Sequence, residues 1–138
     1  MARRDFFHTH IKDALVKDGW IITDDPLDLT IGEVELLADL GAERVIAAER
    51  NNEKIAVEIK SFEGQSPVSE FHKAIGQYAN YRLSLEELEP DRRVWLAIPD
   101  NAWLRFFQRP FIQKAIKRFE VTIIVFNPET STITSWIK

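Results

Sequence analysis

Cysteine is missing altogether from the 138 residues. That removes disulfides, thiolate metal sites and cysteine nucleophiles from consideration, and it suits a reducing cytoplasm. No apolar run approaches the roughly 18 residues that a membrane span requires, so no membrane partner is expected. The first residues read Met-Ala-Arg-Arg-Asp and then mix aromatic with polar side chains, which is not the pattern of a secretory signal. A basic excess is lacking too. Eighteen Lys and Arg stand against 22 Asp and Glu, a formal net charge of −4. Free-standing nucleic-acid binders usually carry the opposite imbalance, so any such contact must use a local patch or a helper protein. There is no linker, low-complexity tract or internal repeat. The length suits one domain over residues 1–138, enough to bury about two-thirds of its unfolded surface.

What is present is strong apolar periodicity. Phe7, Ile11, Ala14 and Leu15 recur at helical spacing, and Gly19 supplies a stop, which predicts a helix over residues 3–18. A short strand begins at Trp20, Ile21 and Ile22. Residues 33–40 alternate in part. Strands are expected over 44–49 and 54–60, forming a hairpin about the polar turn Arg50-Asn51-Asn52-Glu53. A long helix spans 68–88, with Val68, Phe71, Ile75, Tyr78, Ala79, Arg82 and Leu85 as its core stripe. A strand over 93–98, an aromatic turn or short helix over 101–107, a helix over 110–119 and strands over 121–126 and 132–137 complete the chain. The order αβββαβαββ predicts a mixed α/β or α+β fold with a central sheet flanked by helices.

The segment Ile55-Ala56-Val57-Glu58-Ile59-Lys60 carries the chemistry. Side chains alternate along a strand, so Glu58 and Lys60 point one way while Val57 and Ile59 point the other. Two charges in so apolar a strand are costly unless paired or bound to a metal. Eighteen residues lie between Asp39 and Glu58, and the intervening hairpin can bring the two carboxylates together. Two carboxylates and a main-chain carbonyl suit Mg²⁺ or Mn²⁺, hard ions that take oxygen ligands. A neighbouring lysine would position the attacking water and steady phosphate charge. Phosphodiester hydrolysis is the reaction this set favours.

Asp39 followed by Glu58-Ile59-Lys60 resembles the PD-(D/E)XK nuclease signature, with Ala38 where the motif's name has proline. Gln77-Tyr78-Ala79-Asn80-Tyr81 resembles the Q-x-x-x-Y element of one branch of that superfamily. Gln77 and Tyr81 share a helix face, expected to lie away from the centre of the apolar stripe. The likeness covers nearly the whole chain. Phe7-His8, Leu15-Val16-Lys17-Asp18-Gly19-Trp20, Asp39-Leu40-Gly41-Ala42-Glu43, Ala56 to Phe62, Gly76-Gln77-Tyr78 and Pro110-Phe111-Ile112 are similar to the XisH family. Those proteins are cyanobacterial fdxN-element excision controlling factors. The resemblance implies a restriction-endonuclease-like fold over residues 1–138, a role in programmed DNA excision, and a small partner protein, XisI. It implies that Asp39 and Glu58 bind metal, that Lys60 positions the water, and that Gln77 orients Lys60 or the water with Tyr81 in support.

Other readings stay open at this stage. A non-catalytic module of the same fold could hold DNA or a partner while a separate recombinase cuts, and a toxin–antitoxin or defence role is a third possibility. A homo-oligomer is compatible with the sequence. Glu35 is either a further metal-shell carboxylate or a solvated edge charge. His8, near Lys12, is by default structural, and His10 and His72 show no partner pattern, so zinc is not expected. Residues 101–119 hold Arg105, Arg109, Lys114, Lys117 and Arg118, five aromatic side chains and no acid. They read either as a nucleic-acid grip or as core aromatics with solvated bases. Glu86, Glu87, Glu89 and Asp91 read as a solvated helix end.

Overall fold

The computed structural model describes residues 3–32 and 45–138, with side chains described over 7–32 and 46–138. The first helix, α1 (Arg3–Lys17), buries Phe7, Ile11, Ala14 and Leu15, the side chains its periodicity singles out. It closes at Gly19, whose φ of +92° is open to glycine at no steric cost. Gly19 N–H donates to Val16 O and Trp20 N–H to Leu15 O, both at 3.0 Å, the paired bonds of a Schellman cap.

Strands β1 (Ile21–Asp24), β2 (Val45–Arg50) and β3 (Glu53–Ile59) run antiparallel in sequence order. The β2–β3 turn is the two residues Asn51 and Asn52, with φ of 49° and 69°. Asparagine tolerates these angles, which a tight hairpin needs to match the twist of its strands. Helix α2 (Pro67–Leu88) then crosses over to β4 (Arg92–Pro99), which lies parallel to β3. Its N-terminus is capped by Ser66, whose side chain accepts from Ser69 N–H. Helices α3 (Asp100–Arg105) and α4 (Pro110–Arg118) lead to β5 (Ile123–Asn127), parallel to β4, and β6 (Thr132–Ile137) returns antiparallel. The result is a six-stranded mixed sheet in the order β1-β2-β3-β4-β5-β6, flanked by helices.

Alternation along the strands divides the core in two. Ile46, Ala48, Ile55, Val57 and Ile59 pack under α1, with Trp136 in contact with both Trp20 and Trp95. Ala47, Ala56, Leu96 and Ile98 pack on the other face, under α2, α3 and α4. The strands expected from sequence shift by one or two residues. Trp20 and Val121 are buried but precede their strands. Residues 33–40, with Glu35 and Asp39, lie outside the described residues.

The stripe expected for α2 needs correcting. Val68 is 46% exposed, Ala79 is exposed, and Arg82 is half-buried. Phe71, Tyr78 and Leu85 are buried as expected, joined by Ala74, Tyr81 and Ser84. Ala74, with no exposed surface, lies on the same buried face as Tyr81. Arg82 reaches along the helix to donate to Phe119 O and Glu120 O, satisfying carbonyls at the end of α4.

The acidic end of α2 is not merely solvated. Glu89 pairs with the buried Arg92 at 3.1 Å, and Asp91 with Lys54 at 3.3 Å. His10 also has a partner that its sequence context did not reveal, Ser131 Oγ at 2.6 Å, 121 positions away. His8 takes its default structural place. It and Lys12 both bind Asp25, at 2.8 Å each. Burial opposes the Asp25 charge, but the hydrogen bonds from Lys12 and His8 outweigh it and hold the carboxyl below its usual 3.8. A lowered carboxyl pKa stabilises the fold above the unfolded value and loses that contribution as pH falls through the folded one. Asp25→Asn is therefore expected to lower the melting temperature at pH 7 by up to about 3 °C. The gap should close in thermal scans taken below pH 3.8; a gap independent of pH would contradict this. Among the described residues no helix is long and apolar enough to cross a membrane.

Candidate functional site

Glu58 and Lys60 stand on the α2 face of the sheet, in phase with Ala56 and out of phase with Ile55, Val57 and Ile59. Lys60 follows the last residue of β3, yet its N–H still donates to Ala97 O at 3.0 Å, so the pleat continues through it. Glu58 sits at the centre of the sheet, opposite Val45 on β2 and Leu96 on β4. Both side chains are buried, with exposures of 2% and 7%. Burying a carboxylate and an ammonium opposes stability unless the surroundings compensate.

The site lies where β3 and β4 end in parallel, the end at which open α/β sheets bind ligands. The chain leaves Lys60 through a loop anchored by Phe62, whose ring packs on Phe106 at 5.7 Å and edge-on to Phe107 at 5.0 Å. That aromatic cluster ties the loop to the segment joining α3 and α4.

Helix α2 supplies the roof. Glu70, Ala74, Gln77 and Tyr81 recur at steps of four, three and four, so they form one stripe. Gln77 Oε1 is buried and accepts no hydrogen bond from a described residue. Tyr81 is only 3% exposed and belongs to the core on the site's side of the sheet. The sequence places Gln77 and Tyr81 together correctly, but their face is turned into the protein instead of away from its apolar centre. Tyr81 is held there because its ring joins the same cluster as Ala74 and Tyr78.

Sequence reasoning did not single out Glu70, which lies on the same stripe as Gln77 and Tyr81. One of its carboxylate oxygens, Oε2, is buried, and Oε1 lies so close to Gly64 that a Cβ there would stand 3.1 Å away. The available signal was the spacing of Glu70 to Gln77, seven residues, two helical turns along one face.

Asp39, the second carboxylate of the proposed set, and Glu35 lie outside the described residues. Among the described residues no group of three or more His, Asp or Glu side chains gathers as a metal cage. Glu58 nonetheless offers the hard oxygen donor that Mg²⁺ prefers, and Mg²⁺ is commonly held by only one or two carboxylates and waters.

Comparison with known proteins places this geometry. Residues 1–134 match the family model described as XisH protein. A crystal structure of an XisH family protein from Nostoc punctiforme PCC 73102 is 44% identical, with a TM-score of 0.88 over 96% of this chain and 99% of that one. A crystal structure of a fdxN element excision controlling factor protein from Anabaena variabilis is 47% identical, again with a TM-score of 0.88, over 97% and 99%. No curated protein matches the chain. Since the family match takes in the strand bearing Glu58 and Lys60 as well as the helix bearing Gln77 and Tyr81, the chain belongs to the XisH family.

Proposed function

We propose that this chain acts in the excision of a DNA element and that it does so through metal-dependent phosphodiester hydrolysis at Glu58 and Lys60. The excision role follows the Anabaena variabilis relative, an excision controlling factor of 47% identity. The observation that carries the chemical reading is the burial of a carboxylate and an ammonium two residues apart, on one sheet face, at the open end of two parallel strands. Glu58, with Asp39, would hold Mg²⁺ or Mn²⁺, and the ion would supply Lewis-acid stabilisation of phosphate charge. Lys60 would orient the attacking water. Gln77, whose buried Oε1 is open to a donor, would align Lys60 or the water, with Tyr81 packed in support.

A net charge of −4 leaves the isolated chain poorly equipped to hold duplex DNA. Targeting is accordingly assigned to a partner protein of the XisI type. The competing reading is a non-catalytic module of the same fold, which metal binding separates from this one. Metal at ten times its dissociation constant adds about 1.4 kcal/mol of stability by linkage, about 5 °C in melting temperature for a chain of this length. Thermal melts should show that rise with Mg²⁺ or Mn²⁺ for the wild type, and Glu58→Gln should abolish it. Melting indifferent to either ion in both proteins would support the scaffold reading.

A further inference from the structure

The charge of this molecule is reversed along one stretch. Residues 101–119 hold five Lys and Arg and no acid, whereas the other 119 residues carry 13 Lys and Arg against 22 Asp and Glu. The structure separates the aromatic side chains of this stretch into two groups. Phe106 and Phe107 are core, at 4% and 0% exposure, and Trp103 packs against them. Phe111 and Phe119 face solvent at 70% and 48%. Between them runs an open groove of about 510 Å³, floored by Ala115 and bordered by Lys114, Lys117 and Arg118. All five bases are exposed, and among the described residues none is in an ion pair. The stretch starts beside the candidate site, because Phe106 and Phe107 pack on Phe62, two residues after Lys60.

We propose that the outer face of α4 and the turn before it hold a single strand of nucleic acid as it passes the Glu58–Lys60 site. Its phosphates would lie along Arg105, Arg109, Lys114 and Arg118, and its bases would stack on Phe111 and Phe119. The occupant follows from the chemistry. Clustered cations without acids select a polyanion, and exposed rings at intervals among them are the means by which proteins hold unpaired bases. Eight residues of helix separate the two rings by about 12 Å, which is three to four base steps at about 3.4 Å. A second copy of this chain is a poor occupant, since it would bring five more positive charges to the same face. A membrane surface is equally poor, because the opposite side of α4 is fixed in the core by Ile112 and Ile116 and only isolated rings remain outside.

This inference rests on the reading of DNA as substrate, and its test is kept apart from cleavage. Fluorescence anisotropy would follow a labelled 15-nucleotide single strand and the matching duplex in EDTA, where metal-dependent cutting is excluded. Wild-type protein should bind the strand weakly, with a dissociation constant on the order of 1–100 μM, and the slope of log K on log salt should be about −3 for four phosphates. Lys114→Glu combined with Arg118→Glu should weaken binding tenfold or more and flatten the slope. Phe111→Ala, which leaves the charge intact, should weaken it about fivefold or more. Lys17→Glu, on the α1 side of the sheet, should change little. Equal binding by wild type and the α4 variants would overturn the proposal while leaving the hydrolytic reading standing. So would α4 variants that keep the strand but lose a partner protein, which would assign the groove to that protein, and so would a tenfold preference for duplex. Strand binding by α4 without Lys60-dependent cleavage would uphold this inference and remove the hydrolytic one.

Discussion

Replacing Arg92 by alanine is expected to lower the melting temperature by about 10 °C. Arg92 opens β4 with its side chain 3% exposed. Its guanidinium donates to Ile55 O at 2.9 Å and pairs with Glu89 at 3.1 Å and Glu49 at 3.3 Å. One side chain thus joins the end of α2, the hairpin and the first parallel strand. Alanine removes a charge-assisted hydrogen bond to Ile55 O, worth about 1.5–3 kcal/mol, and removes the shared cation from two half-exposed carboxylates. Together about 3 kcal/mol is lost, less than for a fully buried pair because water still reaches both glutamates. For 138 residues that is about 10 °C. Arg92→Lys keeps the charge but loses the fork that serves three acceptors at once, so it should recover less than half. Calorimetric scans of the three proteins decide this; a fall under about 3 °C for the alanine variant would show that Arg92 is not the clamp described.

The sequence makes the strands legible because their alternation has one physical cause, a sheet covered on both faces. Ile55, Val57 and Ile59 against Ala56, Glu58 and Lys60 is that alternation, and it put the two charges on one face. The hairpin was equally readable, since Asn51 and Asn52 tolerate the positive φ it needs. The α2 stripe was not. Periodicity alone cannot decide which of two neighbouring stripes meets the sheet, and here the narrower one, with Ala74, wins by close approach. It carried Tyr81 inside and left Val68 out. Partnerships between distant positions were also hidden. His10 with Ser131, and Arg92 with Glu49 and Ile55 of the hairpin, are made by tertiary placement that no local pattern encodes. The aromatics of residues 101–119 split between core and surface for a similar reason. Phe106 and Phe107 meet Phe62 and Phe71, while Phe111 falls on the outer side of α4.

Lys60→Ala tests the central claim most directly. The ammonium is buried one residue beyond β3 and in phase with Glu58, and its proposed task is to position the attacking water. General acid–base or positioning groups of this kind contribute about 10²–10⁴ in rate. The measurement is single-turnover cleavage of DNA containing the excision-element boundary, in Mg²⁺, with the partner protein present and absent. Wild type and Lys60→Ala would be prepared side by side, and both checked for an unchanged metal-induced rise in melting temperature. The account predicts Mg²⁺-dependent strand cleavage by the wild type that is strongest with the partner, and a loss of at least a hundredfold in Lys60→Ala while metal binding persists. Equal rates from the two proteins, or no cleavage by the wild type with any combination of metal and partner, would contradict it.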